Sequence, residues 1–201
     1  MKKNTGFKIS LLGESTVGKT SIVNAYSKNQ FSYNTVLTTG IVSFMKKKQF
    51  DNKEYKFKIF DTAGQERYKS LSNTTIQIAD GFFMVFAVDN KESFYKIIDW
   101  INFIEDNVDL EEKALYLIAN KIDVESEVRQ VTKEEGEKFA NSKNAKYFET
   151  SALKNEGINE AFEEIFKDIY QMHKQSNNRN SNFNLDMKNI NNQNNKKKKF
   201  C

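Results

Sequence analysis

Eight residues near the N-terminus have the types and spacing of a phosphate-binding loop. The segment 13–20 reads G-x-x-x-x-G-K-[ST] and directly follows the apolar run 7–12. In such a loop, backbone N–H groups converge on the α and β phosphates, the lysine reaches the β and γ phosphates, and the final hydroxyl binds Mg²⁺. The two glycines can adopt backbone angles that other residues resist, and the helix that should follow directs its N-terminal N–H groups at the anion. A strand-to-helix turn that matches by chance is the alternative at this point. The candidate nucleotide ligands are Gly13, Glu14, Ser15, Thr16, Val17, Gly18, Lys19, Thr20 and Ser21.

A second segment that can handle phosphate and metal follows the third predicted strand. It reads Asp61-Thr62-Ala63-Gly64-Gln65. An aspartate there can hold Mg²⁺ through water, and the Gly64 N–H can reach a γ-phosphate. Taken alone, the segment could equally be a polar turn. Beside a phosphate loop, Asp61 and Gly64 become candidate ligands.

Two later segments have the chemistry to recognise a guanine base. Residues 120–123 read Asn-Lys-Ile-Asp after the fifth predicted strand, and residues 151–153 read Ser-Ala-Leu after the sixth. The Asp123 carboxylate can accept two N–H bonds from the guanine edge, whereas it would repel the acceptor pattern of adenine. Lys121 can lay its aliphatic stem over the base. A backbone N–H from Ser151, Ala152 or Leu153 can donate to the purine carbonyl.

Strand-like and helix-like runs alternate along the chain, which predicts an α/β fold with a mostly parallel sheet and helices on both faces. Residues 41–50 and 54–60 alternate in type around a polar turn and so predict an antiparallel hairpin. Residues 81–88 and 114–119 are continuous apolar runs, as expected for central strands. The order of these segments along the chain suggests six strands and five helices, with ligands bound at the carboxyl ends of the strands. Trp100 lies beside an apolar helical face and is assigned to packing.

Length and composition divide the 201-residue chain into one domain and a tail. From residue 174 the sequence is rich in asparagine and poor in apolar residues, and it ends in four lysines, Phe200 and Cys201. Such a segment cannot bury enough apolar surface to fold alone. We therefore expect a folded domain over residues 1–173 and a disordered tail over 174–201.

The positive net charge belongs to the tail. The tail has seven basic residues and one acid, so the chain's charge of +4 leaves the domain near −2. This balance gives no support for a nucleic-acid-binding domain. The only cysteine is the last residue, so neither an intrachain disulfide nor a cysteine metal site is expected. With no apolar leader and no run of 18 apolar residues, we expect a protein kept in the cytosol.

With the four motifs in order over residues 7–172, the chain resembles a Ras-superfamily small GTPase. The resemblance implies the six-stranded P-loop NTPase fold of that superfamily. Within it, the segments 61–68, 129–131 and 149–153 resemble the Rab branch, and a long tail that ends in cysteine agrees. Several positions depart from the Rab pattern: Ser43, Phe60 and the segment Asn73-Thr74-Thr75-Ile76. Thr16 stands where many relatives carry glycine or another small residue.

The resemblance implies a role for each matched residue, with GTP or GDP and Mg²⁺ as ligands. Lys19 and the loop amides neutralise phosphate charge, Gln65 orients the attacking water, and Thr20 and Asp61 act at Mg²⁺ with a threonine of switch I. That threonine is Thr38 by an ungapped count from Lys19, whereas Thr39 would need an insertion and a compensating deletion. The residues that read guanine are Asn120, Lys121 and Asp123.

The same count places Phe31 where an aromatic ring packs on the guanine edge. Loss of the γ-phosphate should release two segments, switch I (residues 31–40) and switch II (residues 64–76), and partners would bind according to that difference. Some relatives supply an arginine ahead of the switch I threonine, but the first arginine here is Arg67. We therefore expect slow hydrolysis that depends on an activating partner.

By the resemblance, the protein is a switch that regulates vesicle-mediated transport on the cytosolic face of an endomembrane. Its partners would be an exchange factor, a GTPase-activating protein, a GDP-dissociation inhibitor or escort protein, and effectors. Cys201 is a candidate for prenylation, with the adjacent lysines as a second membrane signal. However, Rabs usually end in two cysteines, and a final cysteine is not a C-a-a-X box. A Ras-like signalling GTPase, a scaffold with little hydrolysis and another P-loop enzyme remain as alternatives, the last disfavoured by residues 120–123.

Overall fold

The computed structural model describes residues 6–28, 41–62 and 69–197, and side chains within these ranges except for 28, 69–72 and 178–197. Twelve elements occur in this part of the chain. They are β1 Gly6–Leu12, α1 Lys19–Lys28, β2 Ile41–Phe50, β3 Lys53–Thr62, α2 Lys69–Ile78, β4 Gly81–Ala87, α3 Lys91–Tyr95, α4 Ile97–Glu105, β5 Ala114–Asn120, α5 Lys133–Ser142, β6 Lys146–Thr150 and α6 Ile158–Lys197.

The six strands form one sheet in the order β2-β3-β1-β4-β5-β6, and all neighbours are parallel except β2 and β3. The sheet predicted from the alternating pattern is confirmed. Its carboxyl edge brings the ends of β1, β3, β5 and β6 together, because parallel strands end on the same side. The loops that carry the four motifs therefore lie at one edge of the sheet.

The predicted hairpin is also confirmed, with Phe50 opposite Lys53 across a two-residue turn. Asp51 and Asn52 both have positive φ, of 46° and 59°. Short polar side chains tolerate this left-handed geometry, which matches the twist of a tight hairpin. The turn leaves the Asp51 carboxylate free to accept bonds from Tyr170 Oη at 2.6 Å and Lys174 Nζ at 2.7 Å. The tip of the hairpin is thus tied to α6.

Two apolar clusters cover the two faces of the sheet. Successive residues of a strand point to opposite faces, and β4 divides accordingly: Phe83 and Val85 enter the first cluster, whereas Phe82 and Met84 enter the second. The first cluster includes the buried faces of α1 and α6, and the second includes those of α4 and α5. The α1 helix, at the end of the phosphate loop, and the α4 helix therefore lie on opposite faces.

The described residues contain six helices, where the sequence suggested five. The apolar spacing around residues 94–104 predicted helical structure, and the structure divides this region into α3 and α4 at Lys96. Lys96 has ψ of −12° and its N–H still donates to the Glu92 carbonyl at 3.0 Å. One residue of turn geometry separates the two helices, and side-chain spacing carries no signal for such a break.

The α6 helix continues to Lys197, whereas composition predicts disorder from residue 174. Its backbone hydrogen bonds run from each N–H to the carbonyl four residues earlier, so they are closed within the segment itself. Lys174, the first residue of the predicted tail, also pairs with Asp51. The domain boundary at residue 173 stays a prediction. Across the described helices, none is both long and apolar enough to cross a membrane.

We expect that Phe162→Ala lowers the free energy of unfolding by about 3–5 kcal/mol, as for other buried aromatic residues. Phe162 is fully buried, stacks on Tyr26 with ring centroids 4.0 Å apart, and meets Phe83 edge-on at 4.8 Å. Urea unfolding followed by circular dichroism measures the loss. The control is Gln171→Ala on the exposed side of the same helix, with a change of about 0.5 kcal/mol or less. Equal losses in the two variants would contradict this packing.

Candidate functional site

The phosphate loop has the strained backbone that its glycines predict. Gly13 and Gly18 have φ of 140° and 98°. A Cβ on Gly13 would lie 2.1 Å from the Val85 carbonyl oxygen, and one on Gly18 would lie 2.3 Å from Nδ2 of Asn120. Thr16 also has positive φ, of 64°, which is costly for a β-branched residue. The loop is thus held closely against β4 and β5, with one non-glycine residue in the left-handed region.

Lys19 is buried at the base of this loop, as the first residue of α1. Its ammonium donates to the carbonyl oxygens of Gly13 at 2.8 Å and Glu14 at 2.7 Å. Burial lowers the pKa of Lys19 to about 8, against the opposing attraction of Asp61 and Glu14. A phosphate anion at the loop would restore the preference for the charged form, since an opposite charge nearby favours ionisation. The lysine therefore suits an anionic ligand.

The Thr20 hydroxyl donates to Oδ2 of Asp61 at 2.6 Å, which joins the phosphate loop to the end of β3. The other carboxylate oxygen, Oδ1, is buried, and no donor in the described part of the chain reaches it. Burial raises the pKa of the Asp61 carboxyl, while the Thr20 bond and Lys19 oppose the rise. A buried carboxylate oxygen without a donor, beside a hydroxyl and a phosphate loop, fits Mg²⁺. This ion binds through one or two protein oxygens, phosphates and water, and the described residues form no group of three or more metal-binding side chains.

The Asn120 side chain connects three of the four motif segments. Its Nδ2 donates to the Val17 carbonyl in the phosphate loop at 2.8 Å, and its Oδ1 accepts from the Thr150 hydroxyl at 3.1 Å. All three groups are buried. The motif predicts that Asn120 belongs to the guanine-binding site. In the structure its side chain also connects the loop after β5 to the phosphate loop and to the end of β6.

The Asp123 carboxylate accepts a bond from the Ser151 hydroxyl, which in turn accepts from the Lys154 N–H at 3.0 Å. The segments 120–123 and 151–153 are therefore fixed to each other. Lys121 has positive φ, of 68°, and its ammonium pairs with Asp89 at 3.2 Å. Lys121 and Asp123 therefore lie on one loop at the carboxyl edge, which contacts Asp89 in the loop after β4 and Ser151 in the loop after β6.

The Ser151 N–H donates to the Glu156 carbonyl at 3.0 Å in an isolated bridge. This bond narrows the predicted backbone donor for a purine carbonyl to Ala152 or Leu153. Ala152 is buried, and the Leu153 side chain is exposed.

The remaining predicted residues divide into those placed in the loop and those outside the described residues. Ser15 and Val17 lie in the loop, Val17 with its side chain in the first cluster, and Ser21 lies in the first turn of α1. Five predicted site residues and the alternative Thr39 lie outside the described residues: Phe31, Thr38, Thr39, Gly64, Gln65 and Cys201.

Comparison with models of protein families matches residues 8–171 to the Ras family. The chain belongs to the Ras family. Among curated proteins, it is 36% identical over 156 residues to Ras-related protein Rab-8A of Bos taurus, covering 78% of this chain and 74% of that protein. It is also 38% identical to Ras-related protein Rab-21 of Mus musculus over 78% of this chain and 69% of the relative. Ras-related protein Rab-8B of Homo sapiens is 36% identical, with 78% and 74% covered.

Family membership confirms the predicted class: this Ras-family chain is a Rab-type small GTPase that binds guanine nucleotide and hydrolyses GTP. The match ends at residue 171, just before the Asn-rich segment. The six-stranded sheet with helices on both faces is the fold that the motifs predicted.

Three residues of the site in this Ras-family protein were not predicted to act there. Asp89 lies two residues beyond β4, so its place at the carboxyl edge could have been inferred from the strand order. Thr150 directly precedes the fourth motif and bonds Asn120. Trp100 donates from Nε1 to Oε1 of Glu14 at 3.1 Å. The position of Trp100 within α4 indicated only that its ring is packed. Glu14 lies 86 residues earlier in the chain, so this contact leaves no local sequence pattern.

We expect the affinity of the protein for GDP to fall as the pH rises above about 8. Lys19 in the ligand-free site has a pKa of about 8, whereas a bound phosphate favours its charged form. Above this pH, binding must take up a proton, so Kd rises about tenfold per pH unit. Below it, Lys19 is charged in both states and contributes no slope. Titration with a fluorescent GDP analogue between about pH 6.5 and 9.5 measures the profile.

The matched control is Lys19→Arg, because a guanidinium stays charged throughout this range. Titration of the guanine base affects both proteins equally and cancels in the comparison. The ratio of the two dissociation constants should therefore change only above about pH 8. Parallel profiles would show that Lys19 has an ordinary pKa.

Proposed function

We propose that the protein is a GTP-hydrolysing molecular switch of the Rab type that regulates vesicle-mediated transport. The observation that supports this most strongly is the single hydrogen-bonded assembly of the four motif loops. Thr20 bonds Asp61, Asn120 bonds Val17 and Thr150, and Ser151 bonds Asp123. One nucleotide can span these loops, with its phosphates at the α1 terminus and its base between residues 120–123 and 151–153.

In the proposed complex, the phosphates lie on the backbone of the loop and beside the Lys19 ammonium. The backbone N–H groups of residues 14–20 face an anion at a helix N-terminus. Guanine is recognised by Asp123 and packed by Lys121, with Phe31 on its edge, and an N–H of Ala152 or Leu153 donates to the carbonyl. The proposed GTP ligands are Gly13, Glu14, Ser15, Thr16, Val17, Gly18, Lys19, Thr20, Ser21, Phe31, Thr38, Asp61, Gly64, Asn120, Lys121, Asp123, Ser151, Ala152 and Leu153.

The proposed metal ligands are Thr20 and Thr38, with Asp61 acting directly or through water. When bound, Mg²⁺ neutralises charge on the β and γ phosphate oxygens. The Thr20 hydroxyl donates its proton to the Asp61 carboxylate, so a lone pair of the Thr20 oxygen remains for the cation.

Hydrolysis in this scheme depends on positioning and charge neutralisation, without a covalent protein intermediate. Lys19 and the loop amides stabilise charge that develops on the phosphates, and Gln65 orients the attacking water. No arginine precedes residue 67 in the sequence. The charge that an arginine supplies in some relatives must then come from a partner. In Ras, a member of the same superfamily, a partner protein accelerates hydrolysis about 10⁵-fold.

We expect a single-turnover hydrolysis rate of about 10⁻⁴ to 10⁻³ per second for the isolated protein with GTP and Mg²⁺. Cell extract that holds an activating protein should accelerate it by orders of magnitude, while Gln65→Ala should respond little because the water is no longer oriented. Phosphate release measures both rates. An intrinsic rate near 1 per second would contradict dependence on a partner. Equal binding of ATP and GTP would contradict the assignment of the base site.

Two alternatives to this function remain, and the phosphate-release assay separates the first of them. A GTP-binding scaffold would bind GTP and release almost no phosphate even with extract, although Gln65 argues against this reading. A Ras-like signalling GTPase would hydrolyse GTP in the same way, but would act outside vesicle traffic. The segment 81–90 resembles both branches, whereas the relatives compared above carry Rab names.

We further propose that the tail places the switch on the cytosolic face of an endomembrane, through prenylation of Cys201. One lipid chain binds a membrane only marginally. Each lysine near an anionic surface adds about 1 kcal/mol, so residues 196–199 would act as the second signal. The proposed regulators are an exchange factor, a GTPase-activating protein, a GDP-dissociation inhibitor or escort protein, and effectors that bind switch I and switch II.

We expect Cys201→Ser to move an N-terminally tagged protein from membranes to the cytosol. Imaging beside the wild type measures this, and mass spectrometry of the C-terminal peptide identifies the lipid. The matched variant replaces Lys196 to Lys199 by alanine and keeps the cysteine, so it should keep the lipid and lose part of the membrane fraction. An unmodified C-terminal peptide in the membrane fraction would contradict lipid anchoring.

A further inference from the structure

The side chain of Glu14, the second residue of the phosphate loop, is bound to α4. Trp100 Nε1 donates to Glu14 Oε1 at 3.1 Å. Trp100 has no exposed surface, belongs to the second apolar cluster and meets the ring of Phe103 edge-on. Its indole is therefore held rigidly, and it fixes the carboxylate that it binds. We name this contact the Glu14–Trp100 clamp.

A carboxylate in a loop that binds phosphates creates an electrostatic problem. The backbone carbonyl of Glu14 accepts a bond from the Lys19 ammonium at 2.7 Å, so the residue lies directly at the phosphate end of the site. Like charges a few ångströms apart repel strongly where water is partly excluded. A Glu14 side chain that turned toward the ligand would oppose a polyphosphate and compete for Lys19.

The clamp directs this carboxylate to the other face of the sheet. The α1 helix, whose N-terminus faces the anion, packs in the first cluster, whereas Trp100 packs in the second. The pKa of Lys96, in the turn between α3 and α4, is raised chiefly by its bond to Asp99, and the nearby charge of Glu14 adds a smaller contribution. An indole donor and a nearby cation thus stabilise the carboxylate on the α4 side.

We propose that Trp100 is a positioning residue for nucleotide binding, whose indole N–H keeps the Glu14 carboxylate away from the phosphates. This rests on the proposed binding of GDP and GTP at the phosphate loop. The same contact fixes the start of the loop, whose Gly13 and Glu14 carbonyls bind Lys19. In this role Trp100 acts through the Glu14 carboxylate.

The test compares one substitution in two backgrounds. Trp100→Phe retains an aromatic ring in the cluster and removes the donor, so the freed carboxylate can approach the phosphates. We expect GDP release to become about tenfold faster, as for the loss of a hydrogen bond to a charged group. In a Glu14→Gln background, Trp100→Phe should change the release rate less than about twofold, because no charge remains to be directed. Stopped-flow release of a fluorescent GDP analogue measures all four proteins.

A control on the same helix separates the loss of packing by the smaller ring from the loss of the indole donor. Ile104→Ala makes a cavity in the same cluster without touching the loop, and should lower the melting temperature while leaving GDP release within about twofold of wild type. Similar acceleration by Trp100→Phe in both backgrounds would overturn the proposal, as would no acceleration in either. GDP binding by the wild type is measured before any variant is compared. If the wild type bound no GDP, the proposed function would be wrong, and this result differs from a failure of the Trp100 proposal alone.

Discussion

The Asn120 amide is the interaction on which the site depends. The sheet alone brings four loops to one edge, but a shared edge does not fix distances between loops. The bonds from Asn120 to Val17 and Thr150 do so, through residues that are all buried. An unsatisfied buried polar group costs about 1–3 kcal/mol, so the three segments hold one arrangement. The contact of Asn120 with Gly18 also explains why no side chain fits at that glycine.

In the ligand-free site, the charges of Lys19 and Asp61 are destabilised by burial. Burial disfavours the charge of Lys19 and of Asp61, so the pKa of the lysine is lowered and that of the aspartate is raised. A phosphate at the lysine and a cation at the aspartate would remove both penalties, since each supplies the opposite charge. In the ligand-free protein, neighbouring groups thus compensate the buried charges of Lys19 and Asp61 only in part. Binding of guanine nucleotide should therefore also stabilise the fold.

The features of the fold and of the candidate site that could be predicted from the sequence are those that depend on residues close together in the chain. Strand period, apolar runs and glycine positions depend on neighbouring residues, and they predicted the hairpin at Asp51 and the angles of Gly13 and Gly18. Motif spacing gave Lys19, Asp61 and Asp123. The partners of these residues depend on distant contacts: Trp100 with Glu14, Asp89 with Lys121, and Glu156 with the Ser151 N–H. The break at Lys96 left no pattern either, because one backbone torsion does not alter the side-chain spacing. The Asn-rich composition likewise gave no sign that α6 continues past residue 173.

The two carbonyl bonds of Lys19 have a further consequence for how a ligand is received. Ordering a long, flexible lysine side chain costs about 1.5–2 kcal/mol in conformational entropy. In this protein Gly13 and Glu14 already hold the ammonium in place through the loop itself. That entropy is therefore lost when the chain folds, and little remains to be lost when a phosphate arrives. The loop is a receptor preorganised by its own backbone.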